Sequence, residues 1–113
     1  MLSNTRVAPT LAVNDLERAR RFYEGKLGLV AEVEVAETVR YSCGAGTGLA
    51  LFEREMAPVD RTVAAFEVDD VEGEVAELRG NGVEVEGIVT LPSGVRRAFF
   101  KHPDGNILGM RQL

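Results

Sequence analysis

A single cysteine and a single histidine are all that this chain has of either residue, and nowhere is there an apolar run long enough to cross a membrane. Cys43 by itself excludes an internal disulfide. The stretch from Met1 to Val13 lacks the apolar core and small-residue cleavage site of a secretory signal, so a cytoplasmic location is expected. A basic excess is also missing: 13 Lys and Arg stand against 18 Asp and Glu, a formal charge of −5. That balance argues against a nucleic-acid or anionic-membrane partner and favours a neutral or cationic ligand. No linker, low-complexity segment or long charge run interrupts the 113 residues, which are 45% hydrophobic, and residues 1–113 read as one domain with one core.

What the chain has is a repeat. Leu11-Ala12-Val13-Asn14-Asp15-Leu16-Glu17 and Phe66-Glu67-Val68-Asp69-Asp70-Val71-Glu72 share one pattern: apolar, any residue, Val, Asn or Asp, Asp, apolar, Glu. A strand-helix unit recurring at half the chain length predicts two similar modules, about 5–56 and about 60–113.

Within the first module Leu16, Ala19, Phe22, Tyr23 and Leu27 recur at helical spacing, with Glu17, Arg18, Arg21 and Glu24 on the other side, and Gly28 ends the helix. Asn14 is expected as its N-cap with Glu17 completing a capping box, and Asp69 with Glu72 offers the same arrangement in the second module. The second helix has a narrower stripe, Val71, Val75 and Leu78, contains Gly73 at a penalty of about 1 kcal/mol relative to alanine, and ends at Asn81-Gly82. Alternating segments predict strands over Val30–Val35, Thr38–Cys43 and Leu49–Glu53, then over Val83–Ile88, Arg96–Lys101 and Ile107–Gln112. Glycine-rich or proline-containing turns separate them at Gly44–Gly48, Pro92–Gly94 and Pro103–Asn106. Pro9 removes a backbone donor and is expected at a sheet edge or a bulge.

The segment from Leu11 through Phe22-Tyr23 to Leu27-Gly28-Leu29, together with Phe99-Phe100-Lys101-His102-Pro103-Asp104-Gly105-Asn106, resembles the vicinal oxygen chelate superfamily, the glyoxalase, bleomycin-resistance and extradiol-dioxygenase group. The similarity spans essentially the whole chain. These motifs are caps and turns, so they speak to fold and not to reaction. The resemblance implies an α+β fold of two βαβββ modules forming a curved mixed sheet around a cleft, usually completed by a homodimer.

It also implies where a metal would be held. The first ligand, usually His, lies seven residues before the cap aspartate, which here is Ala8, and its counterpart before Asp70 is Val63. A carboxylate of the first module's last strand falls at Ala50, and the closing glutamate at Gly109. None of these four residues has a donor atom, so neither a metal nor any other cofactor is expected. His102 sits in a turn where relatives usually have an acidic residue and reads as a turn residue.

Strand alternation extends those positions into a candidate pocket. In the first strand Val7, Pro9, Leu11 and Val13 take the helix face, leaving Arg6, Ala8, Thr10 and Ala12 toward the cleft. The matching strand puts Thr62, Ala64, Phe66 and Val68 on the helix face and Arg61, Val63, Ala65 and Glu67 toward the cleft. Ala50 brings Phe52 with it, and Gly109 brings Ile107 and Arg111. The candidate ligand-binding set is Ala8, Thr10, Ala50, Phe52, Val63, Glu67, Gly109 and Arg111. Cys43 reads as a packed strand residue, Tyr23 and Tyr41 as core or dimer aromatics, and Arg96-Arg97 as solvated or as a grip for an anion.

Two function classes fit. One is a metal-independent homodimer that captures a small, partly aromatic, neutral or cationic molecule, in the manner of antibiotic-sequestering members of the group. The other is a glyoxalase- or dioxygenase-like enzyme with displaced metal ligands, or a metal-free lyase or isomerase using Glu67, Arg111 or His102. A structural subunit with a vestigial cleft is the bland third reading.

Overall fold

The computed structural model describes residues 2–5, 7–55, 62–101 and 105–113. Arg6, Arg61, His102 and Pro103, which the sequence reading singled out, lie outside the described residues. The chain divides into two compact units, Met1–Met56 and Ala57–Leu113. Each is built as strand, helix, three strands, giving an α+β fold.

The first unit runs β1 (Thr10–Val13), α1 (Leu16–Arg20) continued by a π-helical stretch Arg21–Lys26, β2 (Val30–Val35), β3 (Thr38–Ser42) and β4 (Gly48–Glu53). Its four-stranded sheet has the order β1-β4-β3-β2, with β1 parallel to β4 and the remaining pairs antiparallel. Pro9 precedes β1, the end strand of this sheet, and its carbonyl accepts from the Ala50 N–H at 2.8 Å. The second unit repeats the order as β5 (Thr62–Glu67), α2 (Val71–Gly80), β6 (Val89–Thr90), β7 (Arg96–Lys101) and β8 (Ile107–Gln112), arranged β5-β8-β7-β6.

One face of each sheet carries the helix and the core. In the first unit Leu11, Val13, Val39, Tyr41, Leu49 and Leu51 pack with Ala19, Phe22 and Tyr23, all buried. The Tyr23 and Tyr41 rings stack at 6.2 Å between centroids, tying helix to sheet. In the second unit Ala98, Phe100, Leu108 and Met110 are buried on the face of α2, which contributes Val71, Val75 and Leu78.

Three expectations need correction. The helix caps are Asp15 and Asp70, one residue later than Asn14 and Asp69. Each holds an extended backbone, and its carboxylate accepts the N–H of Arg18 at 3.1 Å or of Gly73 at 3.2 Å. Gly73 leaves room for this, since a Cβ there would stand 2.5 Å from Asp70 Oδ2 and push the carboxylate aside. Both helices end on a glycine of positive φ, Gly28 at 78° and Gly82 at 85°, a conformation that only glycine adopts without strain.

The segment Val83–Ile88 is not a continuous strand. Val85 bridges to Phe100, Arg79 donates to the Val85 carbonyl at 2.9 Å, and regular pairing with β7 begins only at Val89, opposite Arg97. Four residues on one strand span three on the other, an irregularity that falls around Gly87, where no side chain resists the bend. A second register shift lies between Thr62 and Ala64 in β5. It inverts the alternation upstream, so Thr62 turns to the side of Gly109, its methyl 3.5 Å from where a Cβ of residue 109 would be. The expected helix-face position of Thr62 is therefore wrong, and Val63 sits at the bulge itself.

Candidate functional site

The face of the first sheet away from its helix is set by register. Thr10 pairs with Ala50 and Ala12 with Phe52 across β1 and β4, while Arg40 and Thr38 of β3 flank Ala50 and Phe52 from the other side. Thr10, Ala50 and Phe52 thus share one face, and Ala8 lies before the start of β1, outside the paired strand. Ala50 is 7% exposed, closed in by its paired neighbours. Arg54 lies 5.9 Å from the Phe52 ring centroid, a cation-π contact at the edge of that range.

Arg40 is a member of this face that the sequence reading passed over. Its Nε is buried without a hydrogen-bond partner among the described residues, and Glu32 Oε2 stands 3.8 Å away. Only knowledge of the β3–β4 register, which puts Arg40 opposite Ala50, would have found it.

The second sheet presents an equivalent face. Ala65 pairs with Gly109 and Glu67 with Arg111, and across β8 Phe99 lies opposite Gly109 and Arg97 opposite Arg111. Gly109, Glu67 and Arg111 are therefore brought together, while Val63 is set apart from them by the bulge. A Cβ at residue 109 would stand 3.4 Å from the Phe99 ring carbons Cδ1 and Cε1, in ordinary van der Waals contact. The Phe99 ring thus lies next to Gly109 on this face. The Arg97 guanidinium then sits 5.2 Å from the Phe99 centroid.

Arg96 and Arg97 do different work. Arg96 turns to the helix side and bridges Glu72 at 2.7 Å. Arg97 turns to the other face, where its Nε is buried with no hydrogen-bond partner among the described residues.

The nucleophile and acid candidates read as structural. Burial raises the Cys43 thiol above its ordinary pKa, the direction opposite to that of an activated thiolate. Burial likewise pushes the Tyr23 and Tyr41 hydroxyls well above the usual tyrosine range, in Tyr41 together with the hydrogen bond it donates to Glu24 at 2.9 Å. Glu24 also accepts from Arg20 Nε at 2.6 Å, and Arg20 reaches Glu34 on β2. The Arg20 hydrogen bond, helped by the Tyr41 hydroxyl, holds the Glu24 carboxyl below the ordinary range against the opposing effect of burial. This cluster pins the π-helical stretch to β2 and β3.

The residues at the places implied for a metal do not fit one. Ala8, Ala50, Val63 and Gly109 offer no donor atom, and among the described residues no three His, Cys, Asp or Glu side chains group to hold one. Nor does any helix among the described residues have the length and apolarity to cross a membrane.

No curated protein matches the chain. Solved structures do. TnmS3, an antibiotic-binding protein from Streptomyces sp. CB03234, is 28% identical with a TM-score of 0.78, over 96% of this chain and 97% of that one. A glyoxalase/bleomycin resistance protein from the same organism is 29% identical with a TM-score of 0.74, over 94% of this chain and 100% of that one. Lactoylglutathione lyase from Agrobacterium tumefaciens shares the fold at 23% identity and a TM-score of 0.77, over 96% of this chain and 91% of that one. The family model of the Glyoxalase/Bleomycin resistance protein/Dioxygenase superfamily matches residues 6–110, across both strand-helix repeats and both sheets, and the chain belongs to that superfamily.

Proposed function

We propose that this protein is a metal-independent binder of a small, partly aromatic molecule, with the helix-free face around Thr10, Ala50 and Phe52 as one contact surface and the equivalent face around Glu67, Gly109 and Arg111 as another. The observation that carries the reading is chemical. Each of the places implied for a metal ligand holds a side chain without a donor, and two of them, Ala50 and Gly109, lie on helix-free faces at matching register, opposite Thr10 and Ala65. An enzyme of this architecture that lost one ligand would be impaired. A chain lacking all of them keeps the sheet faces and gives up Lewis-acid chemistry, which suits capture. The 28% identity to an antibiotic-binding protein supports the same reading.

The protein acts in this reading as a cytoplasmic two-fold homodimer. Val30, Val33 and Val35 of the end strand β2 are 72%, 43% and 63% exposed, an apolar strip that a second copy would cover.

The experiment is a thermal-shift screen of planar aromatic antibiotics, with glutathione and methylglyoxal adducts alongside, followed by calorimetry of hits on wild type and Phe52→Ala. A hit weakened by about 1.5–3 kcal/mol in Phe52→Ala is expected, the scale of one buried aromatic side chain. Elemental analysis of protein purified without chelators is expected to be blank. Turnover of a thiol adduct by a metal-free preparation would defeat the binding reading and return the lyase alternative.

A further inference from the structure

We infer that the helix-free face of the second sheet takes a planar aromatic carboxylate, gripped by Arg97 and Arg111 and resting against Phe99. This rests on the binding reading above and replaces the neutral or cationic ligand suggested by net charge with an anionic one.

Arg97 and Arg111 are directly paired across β7 and β8, so their side chains leave the sheet side by side on one face. Like charges directly opposite each other on a sheet are destabilising. Among the residues that β5, β7 and β8 place on this face, Arg97, Lys101 and Arg111 are the cations and Glu67 is the carboxylate, paired in register with Arg111 and not with Arg97. In a chain of net charge −5 two guanidiniums are thus paired on one sheet face, with Glu67 in register with Arg111 and Glu86, whose N–H donates to the Phe99 carbonyl at 2.9 Å, beside β7. Charges farther away than a screening length of about 8 Å contribute little to a ligand bound there, so the local residues decide its sign.

The geometry restricts the ligand further. The Phe99 ring lies next to Gly109 with the Arg97 guanidinium over it at 5.2 Å, and Val89, which pairs with Arg97 and is 46% exposed, adds apolar surface on the same face. The buried Arg97 Nε has a proton to donate and no acceptor among the described residues. Guanidinium groups present paired donors that match a carboxylate's oxygens, and an aromatic ring on the carboxylate gains the apolar surface of Phe99 and Val89. Arg96, one residue away, has its partner in Glu72 and takes no part.

The test is calorimetry on the full chain with 2-naphthoate, its neutral isostere 2-naphthamide and the cation 2-naphthylmethylammonium. Naphthoate is expected to bind about tenfold or more tightly than the amide. Arg97→Gln and Arg111→Gln are each expected to weaken it by about tenfold, the scale of a lost charge-assisted hydrogen bond, with Arg96→Gln unchanged. Arg97→Lys keeps the charge without the fork and should fall between. Thermal melts check folding, and loss of a like-charged neighbour should leave them level or raised. Equal binding of amide and carboxylate, or naphthoate affinity indifferent to both arginine changes, overturns the inference. If only the amide or the ammonium binds, the anion site fails and the binding reading stands; if none of the three binds and the antibiotic screen is also blank, both fail.

Discussion

The carboxylate of Glu53, the last residue of β4, accepts the backbone N–H of Leu16, the first residue of α1, at 2.8 Å. The second unit does the same with an amide: Gln112, the last residue of β8, accepts from Val71 at 2.8 Å. Each helix therefore has two caps, an aspartate one residue before it and a strand-end side chain far away in sequence. Glu53→Ala and Gln112→Ala should each lower stability by about 1 kcal/mol. Glu53→Gln should lose less, since it keeps the acceptor and gives up only the favourable charge at a helix N-terminus, about 0.3–1 kcal/mol. Urea melts with unchanged slope would report it.

Acid should act through Glu24. Its carboxyl is held below the ordinary value of 4.5 in the folded protein, first by Arg20 and then by Tyr41. A depressed carboxyl contributes stability that is fully present above its unfolded pKa and is lost as pH falls through the folded value. Melting temperatures measured from neutral pH down to about pH 3 should fall more steeply for wild type than for Glu24→Gln. Parallel curves would show that the cluster contributes nothing.

Tyr41→Phe keeps the stack on Tyr23 and removes the hydrogen bond to Glu24. Because the acceptor is charged, the loss should be about 1.5–3 kcal/mol, read by denaturant unfolding, and the acid sensitivity carried by Glu24 should shrink with it.

Ala45 stands at φ 55°, ψ 35° in the turn between β3 and β4, the left-handed region that costs an alanine about 1 kcal/mol. Ala45→Gly relieves that strain and should stabilise by up to about 1 kcal/mol, less the added freedom of glycine in the unfolded chain. A lowered melting temperature would contradict this.

The valine strip on β2 makes assembly testable. Light scattering over a dilution series should give the dimer mass, and Val33→Asp should shift the equilibrium toward monomer. A clean monomer of wild type at high concentration would overturn the homodimer.

Much of the architecture was legible in the repeated strand-helix pattern, because helix stripes, turn glycines and strand alternation are local signals. β2, β7 and β8 lie where alternation put them. The caps were misplaced by one residue because Asn14 and Asp15 are both good caps, and the choice depends on which backbone is extended once β1 is paired. The alternation over Val83–Ile88 does not make a continuous strand, because alternation is blind to whether a neighbour is in register. Of the candidate site, the Thr10, Ala50 and Phe52 face and the Glu67, Gly109 and Arg111 face follow from period-two geometry within unbroken strands. Val63 does not, since a bulge is invisible to counting.

The order of residues thus settled the two-module fold and the absence of a donor atom in the side chains of Ala8, Ala50, Val63 and Gly109, since donor chemistry is a property of each side chain alone. Tertiary structure decided which side chains meet. Arg97 faces Arg111 and Phe99 lies next to Gly109 only because β7 and β8 pair in one particular register. Leu16 finds Glu53 only because the parallel β1–β4 pairing brings the end of one strand to the start of a helix 37 residues earlier. Register is fixed by the packing of a whole buried face, and no single stretch of sequence carries it.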